Sequence, residues 1–195
     1  KPTFRFVHDS IGTNWRMMEI QAVIGRIQLK RMLEWTAART SNAERIWSTA
    51  RAFPALRVPN FSCDAGGTSG DSSRSCELVG RAPSGAAASL HAHYKCYVFI
   101  NPEQLSPDWD RDRIMEAINA QGVPCFSGSC SEVYLEKAFD NTGWRPAQRL
   151  PVAKELGETS LMFLVHPTLT SAEIDKTCAV LAEVMQQASL ESTNA

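Results

Sequence analysis

The stretch from Met17 to Phe53 constrains this chain more than any other. It holds a single glycine, Gly25, and meets no proline until Pro54. Good helix formers fill it, so it reads as one long helix. Ile20, Val23, Ile24 and Ile27 recur at i, i+3, i+4 and i+7 and make an apolar face. Leu29, Met32 and Leu33 lie roughly opposite that face. A helix with apolar residues on two sides needs two covers. Its own domain can supply one. The other must come from a missing domain or a partner chain, unless the helix kinks near Arg39 to Asn42. The chain is therefore expected not to work alone.

A length of 195 residues suits one large domain or two small ones. With 44% hydrophobic and 21% charged residues the chain can bury a core, and wholesale disorder is excluded as its native state. Twenty basic residues against twenty-one acidic ones leave a net charge of -1. No overall field invites a nucleic acid or an anionic membrane, so neither is expected as a partner. No apolar run approaches the ~20 residues that span a bilayer. Lys1-Pro2-Thr3 with an early Arg5 does not resemble a signal peptide, so a cytoplasmic location is expected. The absence of an initiator methionine reads as a fragment of a longer protein or as processing. None of the six cysteines forms a C-x-x-C pair, which removes the main support for zinc-ribbon or thioredoxin chemistry. They are read as reduced thiols, with Cys96 and Cys178 in apolar patterns as small core residues. Cys63 and Cys76 flank a small-residue loop and pair only in an oxidising environment.

Pro54 and Pro59 end the long helix, and Ser62 to Ser89 follows, rich in Gly, Ser and Ala and without periodicity. It reads as a flexible loop. Tyr94 to Ile100 (YKCYVFI) is β-branched and aromatic and reads as a buried strand ended by Asn101-Pro102. Ser106 as cap and Pro107 at the first helical position open a helix with an apolar stripe at Ile114, Ala117 and Ile118 and a stop at Gly122. Leu161 to Val165 is a second strand ended by His166-Pro167. Thr170 to Glu173 forms a capping box for a last helix whose inward face is Ile174, Cys178, Leu181 and Met185. The expected fold is α+β, a small mainly antiparallel sheet with helices packed on it, preceded by the long helix. The expected division is a lead-in at 1–16, the helix at 17–53, a small α+β domain at 54–188 carrying the loop at 62–89, and a frayed tail at 189–195.

The lead-in carries the candidate chemistry. Gly12-Thr13-Asn14-Trp15-Arg16-Met17 sets a glycine turn, an amide and a guanidinium at a helix N-terminus. Free N–H groups and the positive end of the helix dipole favour an anion there, and Arg16 can grip a phosphate through two parallel hydrogen bonds. From the residues alone the plainer reading stands beside it: Thr13 or Asn14 caps the helix and Arg16 lies on the surface. His91 and His93 alternate at the start of a strand, but no further ligand spacing supports a metal, and a solvated strand end is the expected role. His8 reads as a loop histidine. Cys125 to Cys130 resembles a nucleophile neighbourhood, yet Cys130 has no obvious base, so thiol catalysis is not expected.

Gly12 to Ala22 resembles the G-x-N-x-R-[ML]-x-[ED]-[LI]-Q-A segment of the DegT/StrS family, the fold-type-I, pyridoxal-phosphate-dependent sugar aminotransferases. The likeness continues through Ile24-Gly25 and Gln28 to Arg31. Tyr94 to Ile100 is similar to the family's central small-domain strand, Gly122-Val123-Pro124 to the turn before its substrate-reaching segment, and Leu150 to Ala153 with His166 to Thr170 to its closing pattern. The likeness runs from about Val7 to Met185, excepting the Ser62 to Ser89 loop.

The resemblance implies the C-terminal part of an enzyme that aminates a nucleotide-linked keto sugar, feeding lipopolysaccharide, O-antigen or related amino-sugar synthesis. A dehydratase of the same family and a non-catalytic module that binds a partner or sugar nucleotide are the alternatives. It implies pyridoxal 5'-phosphate as cofactor, seated mainly on an upstream domain that carries the Schiff-base lysine. No lysine here has that context, so no catalytic residue is assigned and the chain alone is expected to be inactive. Asn14 is implied to donate to the cofactor phosphate of a second, identical subunit, with Arg16 beside it, and residues 1–16 to face the cofactor. Trp15 stands where an aromatic is usual, and with Ser127, Ser129 and Glu132 is a candidate to contact substrate. No metal ligand is implied.

Overall fold

The computed structural model describes residues 15–59 and 91–190. Asn14, His8, the loop at 62–89 and the Cys63/Cys76 pair lie outside the described residues. The chain divides into two compact units, Lys1–Glu34 and Trp35–Ala195.

In the first unit the described residues are those that lead into and begin helix α1 (Glu19–Ala50). Glu19 in the first turn complements the helix dipole. The helix starts two residues later than its sequence pattern suggests, and the Gln21 side chain accepts from the Met18 amide at 2.9 Å, just ahead of it. Both expected apolar faces are here and both are open. Ile20 is 65% exposed and Leu33 is 77% exposed, with Val23, Ile24, Ile27, Leu29 and Met32 also exposed.

In the second unit α1 continues without a break at Arg39 to Asn42 and turns apolar on one side only. Ala43, Ile46, Trp47 and Ala50 are buried. Four short strands form one sheet: β1 (Leu56–Arg57), β2 (Cys96–Ile100), β3 (Cys125–Phe126) and β4 (Ser160–Phe163). Their order is β1-β2-β4-β3 and every pairing is antiparallel. Helices α2 (Arg111–Ala120), α3 (Pro151–Thr159) and α4 (Ser171–Ala188) complete the α+β fold. The register sets Cys96 opposite Phe163 and Val98 opposite Leu161. Strand alternation then sends these side chains to one face, where they join Ile114 and Ile118 of α2 and Leu181, Val184 and Met185 of α4 in the core. Cys125 and Cys96 are buried there as well. Burial raises the Cys96 thiol pKa and pushes that of Cys125 up to about 12, so both act as small apolar residues.

The capping box of α4 forms as expected, with Thr170 accepting from the Glu173 amide and Glu173 from the Thr170 amide. Other expectations need correction. The helix after β2 starts at Arg111, capped by Asp110, whose carboxylate accepts from the Arg113 amide at 2.8 Å. Ser106 is used elsewhere: its N–H donates to Ala188 O and its hydroxyl to Ser189 O, fastening the end of α4. Ser189 and Leu190 are accordingly pinned, with the Leu190 amide donating to Gln104 O at 3.0 Å. β3 exists because the Asn119 side chain clamps it, donating to Cys125 O at 2.8 Å and accepting from the Cys125 amide at 3.1 Å.

His93 is the largest departure. It is 1% exposed instead of solvated, at a backbone φ of +45°, while His91 stays at the surface. Its ring meets Trp47 edge-on with centroids 5.1 Å apart, and Trp47 Nε1 donates to Tyr97 O at 3.0 Å. Burial, then the neighbouring His91, lowers the His93 pKa below the usual value, and Glu44 opposes this. The unfolded chain therefore takes up the proton first. Stability present above about pH 6.5 declines as pH falls toward the lower folded value. Thermal unfolding between about pH 7.5 and about pH 5 should show a falling Tm, and His93→Phe, which keeps a ring against Trp47, should flatten that slope.

Candidate functional site

Two regions carry the residues singled out by sequence, one in each unit. In the first, Trp15 and Arg16 precede α1 and both are exposed, Trp15 at 91%. Asn14 lies outside the described residues. The first-turn N–H groups of α1 and the Arg16 guanidinium are donors of the kind an anionic oxygen needs.

In the second unit the segment between β3 and α3 carries Ser127, Ser129 and Glu132. The β2–β4 register that buries Cys96 and Val98 turns Tyr97 and Phe99 to the opposite face of the sheet. The two rings stack with centroids 6.3 Å apart, and Arg57 lies over Phe99 while pairing with Glu155 of α3. The turn after β3 docks beside them. Ser160 Oγ donates to Ser127 O at 2.6 Å. The Ser129 amide donates to the Tyr97 hydroxyl oxygen at 3.2 Å, and the two hydroxyl oxygens lie 3.2 Å apart. Gly128 makes this approach possible. Its φ is +88°, and a Cβ there would sit 2.5 Å from the Tyr97 ring. Lys95 Nζ donates to Ser129 Oγ at 3.4 Å.

Glu132 is already engaged. Arg149 donates to both its oxygens, through Nε at 2.9 Å to one and through Nη2 to the other, and the Tyr134 hydroxyl donates to Oε1 at 2.6 Å. Arg149, then Tyr134, holds the Glu132 carboxyl at a pKa of about 2, so it is an anion across the physiological range and gives no proton to a substrate. The Tyr134 oxygen also accepts from the Leu150 amide at the start of α3 at 2.9 Å. Arg145 ties the middle of the segment, donating to Tyr134 O, Leu135 O and Glu136 O and to the Asp140 carboxylate at 2.6 Å. The exposed Cys130 thiol donates to Glu136, whose hydrogen bond raises its pKa and keeps the sulfur protonated.

The structure thus brings Ser127 and Ser129 together on one docked turn and commits Glu132 to the loop itself. Sequence reasoning missed Lys95, Tyr97, Tyr134, Arg145 and Arg149. The alternation in YKCYVFI was the available signal for Tyr97, because it opposes Cys96 and Val98 in phase. The two arginines had no local signal, since their partners are carbonyls and carboxylates up to seventeen residues away. Among the described residues no group of three or more His, Cys, Asp or Glu could hold a metal, and no helix is long and apolar enough to cross a membrane.

The fold is that of an aminotransferase domain. An X-ray structure of an aminotransferase from Psychrobacter cryohalolentis superposes on 95% of the chain with a TM-score of 0.72 and 49% identity, the match covering 43% of that protein. PseC of Helicobacter pylori, an aminotransferase involved in the biosynthesis of pseudoaminic acid, shares the fold with a TM-score of 0.66 at 14% identity, over 95% of this chain and 42% of its own. The chain belongs to the DegT/DnrJ/EryC1/StrS aminotransferase family, whose model matches residues 1–182. It is 23% identical over 177 residues to the erythromycin biosynthesis sensory transduction protein EryC1 of Saccharopolyspora erythraea, covering 91% of this chain and 39% of that relative. The chain therefore spans about two-fifths of the length of the proteins it matches.

Gly128→Ala should cost about 1–3 kcal/mol from the left-handed backbone and the Tyr97 clash together. Gly143→Ala, at φ +75° with open space around it, should cost less. Urea denaturation of both variants checks the order. Tyr134→Phe should quicken hydrogen exchange at the Leu150 amide, which loses its acceptor, while leaving the amides of α4 unchanged.

Proposed function

We propose that this chain is the small-domain part of a pyridoxal-phosphate-dependent aminotransferase that aminates a nucleotide-linked keto sugar, in lipopolysaccharide, O-antigen or related amino-sugar synthesis. The observation that carries the reading is the open double face of α1 beside Trp15 and Arg16. Covering a large apolar side chain contributes about 1.5–3 kcal/mol, and seven of them stand open between Ile20 and Leu33. A lysine-bearing domain on one side and a second identical subunit on the other would supply both covers. The same contact would bring Asn14 and Arg16 to a cofactor held on another body.

Arg16 fits the phosphate of that cofactor: its planar fork offers two parallel donors, and the N–H groups opening α1 add more. Asn14 would add a neutral donor. Pyridoxal phosphate, when bound, supplies the electron sink that lets an amino group move. This chain's share is to fix the phosphate, orient the sugar and exclude water. Trp15 packs at the cofactor edge, and the Ser127 and Ser129 hydroxyls suit sugar hydroxyls. Glu132 takes part only through the lone pairs left by Arg149 and Tyr134. No lysine on this chain is assigned the Schiff base, and a cytoplasmic location suits a soluble nucleotide-sugar substrate.

The test joins or mixes this chain with the lysine-bearing portion of a relative. The combined protein should hold pyridoxal phosphate, show its lysine-bound visible absorbance and aminate a nucleotide-linked keto sugar, while the isolated chain should do none of these. Arg16→Met should weaken cofactor retention about tenfold, the usual scale for one charge-assisted pair. Turnover by the isolated chain, or a combined protein indifferent to Arg16, would refute the proposal.

A further inference from the structure

From Phe126 to Glu158 no residue is buried, although Cys125 before them and Thr159 after them are. Within that stretch residues 132–149 form a closed loop. Its ends are tied together: Arg149 donates to both oxygens of Glu132, and the Leu150 amide donates to the Tyr134 hydroxyl oxygen at 2.9 Å. Its interior is braced. Arg145 reaches Tyr134 O, Leu135 O, Glu136 O and the Asp140 carboxylate. Two 3-10 turns run at Val133–Leu135 and Lys137–Phe139, and the Thr142 hydroxyl donates to Phe139 O at 2.9 Å. Every hydrogen bond described for residues 133–148 ends between residues 130 and 150. These bonds hold the loop to itself and not to the body of the domain. Val133, Leu135 and Trp144 are exposed and Phe139 is half-buried, so no fully buried side chain fastens it either. One ion pair reaches back, from Arg149 to Glu158 of α3 at 3.8 Å, and both partners are exposed. Such pairs contribute little and are screened by salt.

Two motions are open to such a loop. Unravelling breaks the bonds of Arg145 and Glu132 and releases the backbone they order. Swinging on the neck at Ser131 and Leu150 keeps all of these, uncovers no buried side chain and gives up one exposed ion pair. Native proteins open first where the fewest buried contacts are lost. We infer that residues 132–149 are a lid that swings as one body between the turn after β3 and the start of α3, with Glu132 and Arg149 as its clasp. The feet of the neck are held. Ser131 packs so closely on Gly157 of α3 that a Cβ there would overlap its hydroxyl. Both anchoring elements lie on the outer sheet face, through the Ser129 amide on Tyr97 and through Glu155 on Arg57, which covers Phe99. The swing therefore sets how open that face is. Nothing in this motion needs a cofactor or a substrate, so a fixed loop would leave the aminotransferase reading standing.

Residual dipolar couplings of the backbone amides, measured on the whole 195-residue chain in a stretched neutral gel, separate a swinging lid from a fixed or a loose loop. They average over all motion faster than milliseconds, the range in which loops and lids move. The amides of β2, β4 and α4 define the alignment tensor of the body. The couplings from residues 132–149 should fit one tensor of their own, of smaller magnitude. Glu158→Gln removes the ion pair that reaches back; it should raise the swung-out population about twofold, the scale of one exposed pair, and shrink that magnitude further. Arg149→Met opens the clasp, and the single fit should be lost. Arg113→Met is the control; its guanidinium lies over Trp109, and it should leave both tensors unchanged. Unchanged couplings in β2, β4 and α4 show that each variant folds. Loop couplings that fit the body's tensor at full magnitude would show the loop fixed, and couplings that fit no single tensor would show it loose. Either result overturns the lid, as does a single fit that survives Arg149→Met.

Discussion

The antiparallel pairing of β2 with β4 governs the second unit. It matches Cys96 to Phe163 and Val98 to Leu161, and strand geometry then leaves no choice about which side each neighbour faces. One face must be apolar, and α2, α4 and the second half of α1 close over it. The other face receives Tyr97, Phe99 and Met162, with the Tyr97 hydroxyl as its polar group. It becomes a platform on which the turn after β3 is laid. A slip of one residue would exchange the two faces, bury the Tyr97 hydroxyl without a partner and expose Val98 and Leu161. Core and candidate site are two consequences of one register.

A second constraint comes from arginine. Residues 127 to 150 contain little regular structure, only two single-turn 3-10 helices, and no continuous apolar stripe of their own. Such a segment would ordinarily cost too much entropy to order. Arg145 meets three carbonyls and a carboxylate within one stretch, and Arg149 closes Glu132 and Tyr134 onto the start of α3. The planar fork suits this work because a single side chain satisfies several acceptors at fixed angles. Val133, Leu135, Trp144 and Leu150 are nonetheless left exposed along the segment. Arginine bonds substitute for a hydrophobic anchor and leave the apolar side chains outward.

The parts legible in the sequence were those whose cause is local. The capping box at Thr170, the apolar side of α4 and the presence of one long helix, α1, follow from residues three or four apart, and all three form. The misread parts depend on distant partners. Ser106-Pro107 satisfies every rule for a helix start, as does Asp110. The tie is broken by α4, whose terminal carbonyls claim Ser106 from more than eighty residues away. β1 and β3 are two residues long, too short for any period, and exist because β2 and Asn119 pair with them. His93 reads as a solvated strand end because the ring of Trp47, which packs on it together with His91, comes from forty-six residues earlier.

The first half of α1 was legible for the opposite reason: its apolar residues stand exposed among the described residues. With Ile20, Val23, Ile24 and Ile27 on one side and Leu29, Met32 and Leu33 on the other, this stretch presents the kind of apolar surface that associates or aggregates in water. From Trp35 onward the same helix obeys the ordinary rule, with one buried side and one polar side. The change falls where the compact unit begins at Trp35. A single helix thus carries two hydrophobic patterns, one buried in its own domain and one exposed among the described residues. Arg16 stands at the exposed end, so under the proposed function any body that covered these apolar faces would also meet its guanidinium.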